Sequence, residues 1–250
     1  MRIGITGNQG FIGKNLVVVL TNKKYKLSFF DLPQNDLLNP KKNYLKKFVS
    51  NNDVIIHTAA VNRGSDTEII AGSIVAAHNL ISAMEKYGSK AKLIFLSSSQ
   101  AENETIFGMS KKLTEIMLED FSKRNKSPVA IFRLTNVFGE GCKPFYNSVV
   151  ATFCYQVANN QKLMVKNGSK EFNFIYIEDV VKILIKEISA RRKKPFYFKR
   201  ASSKNIMSIQ KLAKLTQTFK SLENPGKLKN RFYKDLYNTY LSYAKPCRRN

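Results

Sequence analysis

The chain has 250 residues, is 43% hydrophobic, and carries 42 Lys and Arg against 18 Asp and Glu, a formal net charge of +24. That is enough chain for one large α/β domain with a sizeable core. No apolar run approaches the roughly 20 residues of a membrane span. Three cysteines without a C-x-x-C pair (Cys142, Cys154, Cys247) and only two histidines (His57, His78) argue against a disulfide framework and a metal site.

The first apolar strand starts almost at residue 1 and leaves no room for a signal peptide, so a cytoplasmic protein is expected. The charge has three readings: a nucleic-acid binder, a site that attracts an anionic substrate, or an A+T-rich coding sequence, since Lys and Asn are both abundant. The basic residues are spread along the chain, apart from Arg191–Lys194 and Arg248–Arg249. A solvated basic surface is therefore favoured over nucleic-acid binding.

The chain opens on strand, tight turn and helix. Ile3 and Ile5 make the strand, Gly7, Gly10 and Gly13 follow as G-x-x-G-x-x-G, and Ile12, Leu16, Val19 and Leu20 recur at helical spacing. The first glycine lets the chain turn sharply. The second removes a side chain where a pyrophosphate approaches the backbone, and the third lets the helix lie close to the sheet. The free N–H groups at the helix start then face the phosphates. A glycine pattern alone is a weak signal; flanked by strand and helix, it predicts a dinucleotide site. In such sites an acidic residue about 20 positions on meets the ribose, and Asp31 closes the next strand, Lys26–Asp31.

After a turn-rich stretch, Leu45, Phe48 and Val49 mark a short helix. Val54–Thr58 is a continuous apolar run, as in a strand buried on both faces; His57 within it reads as a core histidine. Ile70, Ile74, Ala77, Ile81 and Met84 stripe a helix, and Lys92–Leu96 is a buried strand ending in Ser97, Ser98 and Ser99. Leu113, Ile116, Met117 and Phe121 stripe the next helix, before a strand at Val129–Leu134. This alternation predicts an α/β fold with a doubly wound parallel sheet. Ligands of such sheets sit outside the C-terminal strand ends, where Gly7, Asp31, Ala59, Ser99 and Asn136 fall. The rest is less regular. It holds a polar loop at Glu140–Asn147, helices over Val149–Val157, Val181–Ile188 and Ile209–Phe219, short strands at Phe172–Ile177 and Phe196–Phe198, and a tyrosine-rich last segment, Arg231–Tyr243.

Six pieces, TGNQGFIG, DVIIHTAA, SSS, FGMSKKLTE, RLTNVFG and FIYIEDVV, stand in an order and spacing that resemble the extended short-chain dehydrogenase/reductases, the NAD-dependent epimerase/dehydratase family. Ala59–Arg63 (AAVNR), Gly139–Asn160 and Lys234–Tyr243 (KDLYNTYLSY) lie outside the generic cofactor machinery, and they resemble the reductase half of the capsule-synthesis enzymes of the CapF type. The resemblance spans essentially the whole chain. It implies a single Rossmann domain over residues 1–250, with 1–139 mainly binding NAD(P) and 140–250 forming a small C-terminal substrate-binding subdomain. Cofactor contacts are implied at Gly7, Gly10, Phe11, Ile12, Gly13, Asp31, Ala59 and Lys111, with Asp36 and its neighbour Leu37, in NDLLNP, at the adenine. The implied reaction is NADPH-dependent reduction of the 4-keto group of a UDP-linked 2-acetamido-2,6-dideoxyhexose. In the CapF-type enzymes a cupin domain follows, epimerises C3 and holds a metal. This sequence stops just after LSYAKP, so neither that step nor that metal is expected of it, and a separate cupin epimerase is an implied partner. The family pairs through the Lys-bearing helix or the cupin, so a homodimer is a further expectation.

Reducing a sugar ketone needs a hydride, supplied by the nicotinamide, a proton donor for the developing alkoxide, and a group that orients the carbonyl. In the family the donor is a Tyr in Y-x-x-x-K. The i,i+4 spacing puts Tyr and Lys on one helix face; the Lys favours the phenolate and holds the nicotinamide ribose. A Ser or Thr ends the preceding strand. Here Lys111 fills the Lys position, and Ser99, ahead of Ser98, best matches the Ser/Thr position. The Tyr position is Phe107, which has no O–H. Losing a general acid costs about 10²–10⁴ in rate. Three readings follow: a reductase that uses Ser99, Thr105, Tyr146 or a water as donor; a degenerate copy that still binds cofactor and nucleotide sugar; or an interaction module. The first is favoured.

For the substrate, Asn62 and Arg63 follow the strand carrying His57, and an Arg there suits a diphosphate or a sugar carbonyl, unless it is a plain surface residue. Asn136 matches a family Asn near the sugar. Lys143 would supply charge for the UDP phosphates and Tyr146 would stack or hydrogen-bond, beside Asn147 in the same loop. Asp31 disfavours a 2′-phosphate and so favours NAD(H), whereas the relatives use NADPH; tolerance of both is expected. The rivals are a ketoreductase of a deoxyhexose without the acetamido group, a sugar-nucleotide epimerase or dehydratase, and a non-catalytic nucleotide or nucleic-acid binder.

Overall fold

The structure is a computed structural model describing residues 1–222, 226, 228 and 230–244. Cys247 and the Arg248–Arg249 pair lie outside the described residues. In chain order the elements are β1 (Arg2–Thr6), α1 (Phe11–Asn22), β2 (Lys26–Phe29), α2 (Lys42–Ser50), β3 (Val54–His57) and α3 (Asp66–Ile70). A π-helical turn (Ala71–Val75) leads into α4 (Ala76–Lys86), then β4 (Lys92–Ser98), a 3-10 turn (Ser99–Glu102), α5 (Ile106–Asn125) and β5 (Val129–Leu134). There follow β6 (Asn136–Phe138), α6 (Val149–Ala158), β7 (Glu171–Tyr176), α7 (Ile177–Ser189), β8 (Phe196–Ala201), β9 (Ile206–Ser208), α8 (Ile209–Thr218) and α9 (Arg231–Leu241).

The chain divides into two compact units. The first comprises residues 1–134 and 181–201, the second 135–180 and 202–250. The first is built on a six-stranded sheet of order β2-β1-β3-β4-β5-β8, parallel throughout. Every residue of β3 and β5 is buried, because helices cover both faces of a parallel sheet. Leu80 and Met84 of α4, Phe121 of α5 and Phe48 of α2 join Ile55, Leu93 and Ile131 of the strands in one apolar core. In the second unit β6 pairs parallel to β7, and β7 antiparallel to β9. Its core is aromatic: Phe138, Phe174 and Phe232 pack ring to ring at 5.7–6.4 Å.

Three expectations change. The helix striped by Ile70 to Met84 is interrupted by the π-helical turn, which carries an extra residue and rotates the apolar face; Ile70 is consequently exposed. Leu113 and Ile116, expected inside, are exposed at 44% and 51%. The buried side of α5 is instead polar, formed by Ser110, Lys111, Thr114 and Glu115 with Leu118 and Phe121. The strand expected to end at Leu96 runs on through Ser98, and β6 and β9, three residues each, had no periodicity long enough to show. The continuous helical stretch Asp66–Lys86 has the length and mean hydropathy, 1.2, of a membrane span, although half of its apolar window is buried within the protein.

Candidate active site

The glycine turn has the shape its sequence demands. Gly7 sits at φ +72°, and a Cβ there would lie 2.5 Å from the backbone nitrogen of Ala59. A Cβ on Gly13 would lie 2.1 Å from the carbonyl oxygen of Gly7. Only glycine lets α1 press so closely on the end of β1. Gly10 starts α1 without any side-chain cap, and no acidic residue stands in the first turn, so the first N–H groups remain open to an anion. Phe11 and Ile12, half-buried, flank that opening. Asn8 Oδ1 is buried without a hydrogen-bond partner. An uncapped helix start, a glycine cradle and an orphaned amide oxygen together fit the pyrophosphate and nicotinamide half of a dinucleotide.

Asp31 is fixed beside this turn. Its Oδ2 accepts from the Gln9 N–H at 3.1 Å and its Oδ1 from the Leu32 N–H at 3.0 Å, which aims a carboxylate at the mouth of the glycine loop. Asp36 Oδ1 accepts from the Leu38 N–H at 2.8 Å. The Leu37 side chain is in the core and its carbonyl accepts from Asn79 Nδ2 at 2.7 Å, so Leu37 offers a ligand backbone only.

Ser99 opens the 3-10 turn, half-buried. Ser98 Oγ accepts from the Gln100 N–H at 3.1 Å. Thr105 Oγ1 caps α5, accepting from the Gly108 N–H at 3.0 Å. Phe107 lies half-buried in the first turn of α5, and Lys111 follows one turn later, buried. Lys111 Nζ donates to the Leu96 carbonyl at 3.4 Å and stands 5.1 Å from the ring centre of Phe95 and 5.8 Å from that of Phe107. Burial lowers its pKa to about 8, with the Glu115 charge opposing.

His57 stacks on Phe95 at 5.7 Å, and its Nδ1 is 2.7 Å from Thr6 Oγ1. Its Nε2 is buried without a partner. Burial and the Lys111 charge push its pKa down to about 3, so it stays neutral. It is thus the core histidine expected, with one nitrogen unused. Asn62 is half-buried and Arg63 exposed, in the loop beyond β3.

The most constrained charges were not singled out in the sequence. Glu115, one turn beyond Lys111, accepts from Ser97 Oγ at 2.6 Å and from Arg133 Nε at 2.7 Å, while Arg133 Nη1 reaches Glu102 at 2.8 Å. Arg200 also pairs with Glu102, at 2.5 Å. The signal available was an uncommon one, Glu115 and Arg133 at positions where an α/β core wants apolar side chains.

The remaining candidates belong to the second unit. Asn136 Nδ2 donates to the Asn173 carbonyl at 3.0 Å. Lys143, exposed, stands 5.5 Å from the ring centre of half-buried Tyr146, with Asn147 exposed beside it. The loop is anchored by Tyr243, whose hydroxyl donates to the Cys142 carbonyl, and by Thr152 Oγ1, which accepts from the Phe145 N–H at 3.0 Å. Burial raises the Cys142 thiol pKa, which keeps it protonated. Tyr176 donates to the carboxylate of Glu140, 2.8 and 2.7 Å from its two oxygens. Among the described residues no three His, Cys, Asp or Glu side chains group as metal ligands.

A glycine-cradled helix start at the head of a parallel sheet, with a lysine-bearing helix packed beside it, defines an oxidoreductase-type dinucleotide fold. The profile of the NAD dependent epimerase/dehydratase family matches residues 3–196, and the chain belongs to that family. It is 30% identical over 247 residues to the UDP-2-acetamido-2,6-beta-L-arabino-hexul-4-ose reductase of Pseudomonas aeruginosa, covering 97% of this chain and 65% of that protein. The capsular polysaccharide assembling protein CapF of Staphylococcus aureus superposes with a TM-score of 0.77 at 30% identity, over 98% of this chain and 65% of its own. The chain thus spans about two thirds of the length of both relatives. The UDP-glucose 4-epimerase of Thermotoga maritima, solved with UDP-glucose, shares the fold at a TM-score of 0.83 and 19% identity.

Proposed function

We propose that the chain is an NAD(P)H-dependent reductase of a UDP-linked 4-keto-6-deoxy sugar of the 2-acetamido class, acting in the cytoplasm in surface-polysaccharide or glycan synthesis. The observation that carries the substrate assignment is the likeness to the Pseudomonas reductase over 97% of the chain. The glycine cradle and the open start of α1 support the cofactor half of the reading.

In this reading residues 1–139 mainly bind the cofactor and 140–250 mainly bind the sugar nucleotide. Gly7, Gly10, Phe11, Ile12, Gly13 and Ala59 hold the pyrophosphate end, Asp31 the ribose, and Asp36 with the Leu37 backbone the adenine. Lys111 holds the nicotinamide ribose, and the bound nicotinamide supplies the hydride. Ser99 orients the carbonyl. Asn62, Arg63 and Asn136 serve the sugar; Lys143, Tyr146 and Asn147 serve the UDP. The test is NADPH absorbance on mixing the protein with a UDP-2-acetamido-4-keto-6-deoxy sugar. Consumption is expected. NADPH that binds but is consumed by neither the wild type nor Phe107→Tyr would contradict the substrate assignment.

Phe107 supports a second reading, a homologue that binds NAD(P) and nucleotide sugar without turnover; consumption by Phe107→Tyr alone would establish it. Asp31 favours NADH and the likeness to NADPH-dependent relatives favours NADPH, so tolerance of both is expected: similar KM values for NADH and NADPH are predicted, and a preference beyond about a thousandfold, roughly 4 kcal/mol, would refute this. The outward apolar residues of α5, Met109, Leu113 and Ile116, support a homodimer. A separate cupin epimerase is the expected partner for the C3 step, and the basic surface is read as solvated rather than nucleic-acid binding.

A further inference from the structure

We infer that Lys111 is itself the proton donor of this reduction, replacing the hydroxyl that Phe107 lacks. The inference rests on the reductase reading above. As the hydride forms the C–H bond at the carbonyl carbon, the C=O π pair moves to oxygen. That oxygen takes a proton from Lys111 Nζ, leaving the nicotinamide oxidised and the lysine a neutral amine, which solvent reprotonates.

Four observations converge on it. An ammonium has three N–H donors, and Lys111 spends one on the Leu96 carbonyl at a long 3.4 Å, so two remain, one for the nicotinamide ribose and one for the carbonyl oxygen. No carboxylate is hydrogen-bonded to it: Glu115, one turn along the same helix, partly offsets the burial by its charge but is occupied by Ser97 and Arg133. The flanking groups are the rings of Phe95 and Phe107, which keep it dry. The rival donors are committed or weak. Ser97 donates to Glu115; Thr105, which only accepts from the Gly108 N–H as the cap of α5, and Ser99 keep their O–H, but both are neutral hydroxyls suited to orienting a carbonyl rather than protonating it.

Among the influences on the charge of Lys111, burial is the largest. From β3 comes His57, which stays neutral. From its own helix comes Glu115, bound to Arg133 of β5. Glu102 of the 3-10 turn is shared between Arg133 and Arg200 of β8. On the stretch running from α3 to α4, Glu68, held by Ser65, and His78, beside Ser82, are exposed. Glu115 alone offsets the burial, and burial, the larger effect, brings Lys111 to about 8, the range in which a lysine serves as a general acid at neutral pH.

The experiment compares the NADPH-loaded wild type with Lys111→Arg, whose guanidinium stays charged but does not give up its proton, and with Lys111→Arg/Phe107→Tyr. It also titrates the wild type with 13C-labelled lysine ε-carbons by NMR in the presence of NADP, Lys111 being assigned by its loss in Lys111→Arg. Expected are a wild-type kcat that falls tenfold per unit above about pH 8, a loss of about 10²–10⁴ in kcat for Lys111→Arg read at saturating NADPH, at least tenfold recovery in the double variant, and one lysine titrating near 8. A Lys111→Arg kcat within threefold of wild type, or a Lys111 signal titrating with the surface lysines above 10, overturns the inference and leaves the reductase reading standing. Turnover by Phe107→Tyr but not by the wild type overturns it in the same way. Failure of the wild type and Phe107→Tyr alike to bind NADPH overturns both.

Discussion

The two flanks of α5 treat buried charge in opposite ways. On the flank toward β5 and β8, Glu115, Arg133, Ser97, Glu102 and Arg200 form a network in which each charge has a partner. On the flank toward β3, Lys111 holds one long hydrogen bond and His57 leaves Nε2 with none. Buried polar groups are nearly always satisfied in a folded chain. The first flank is therefore framework, and the second has capacity kept open for a ligand. The contrast also accounts for the polar residues buried in a helix whose Met109, Leu113 and Ile116 face outward.

Breaking the framework is expected to destabilise most. Glu115→Ala removes the buried partner of Arg133 and leaves it only the Glu102 carboxylate, at a cost of about 2–3 kcal/mol, read by urea denaturation; a loss below about 1 kcal/mol would mean that the network contributes little.

On the open flank the sign reverses. The unfolded chain holds the Lys111 proton up to about pH 10.5 and the folded chain only to about 8. Below 8 the folded state therefore carries the full penalty of a buried ammonium, and between 8 and 10.5 stability rises with pH. Lys111→Met is expected to stabilise the cofactor-free protein by about 3 kcal/mol at pH 7 and to abolish that rise. A destabilised Lys111→Met would place Lys111 in the framework.

The outward face gives the smallest and most separable effect. Leu113→Glu or Ile116→Glu should weaken self-association by at least about tenfold, roughly 1.4 kcal/mol, in sedimentation equilibrium, with folding unchanged. A wild type that sediments as a monomer would remove the dimer from the account.

What the sequence made legible follows the range of the forces involved. The turn around Gly7 and Gly13, the strand Val129–Leu134 and the doubly wound order are local patterns, and they stand where expected. The interior of α5 was not legible, because Glu115 is tolerated there only by Arg133, 18 residues away and on another element. The same holds for the π-helical turn at Ala71–Val75, where Gly72 lies against Val61, a contact that no periodicity announces. At the candidate site the sequence placed Lys111 and Phe107 on one helix face, but the burial of Lys111 and the capture of Glu115 by Arg133 needed the fold.

The most direct measurement follows the hydride itself. NADPH carrying deuterium at the transferred position would be incubated with a UDP-2-acetamido-4-keto-6-deoxy sugar and the sugar nucleotide examined by mass spectrometry and NMR. The account predicts a product with the 4-keto group converted to an alcohol and one deuterium on C4, formed in step with NADP. Recovery of the ketosugar unreduced while NADPH remains bound and intact would contradict it.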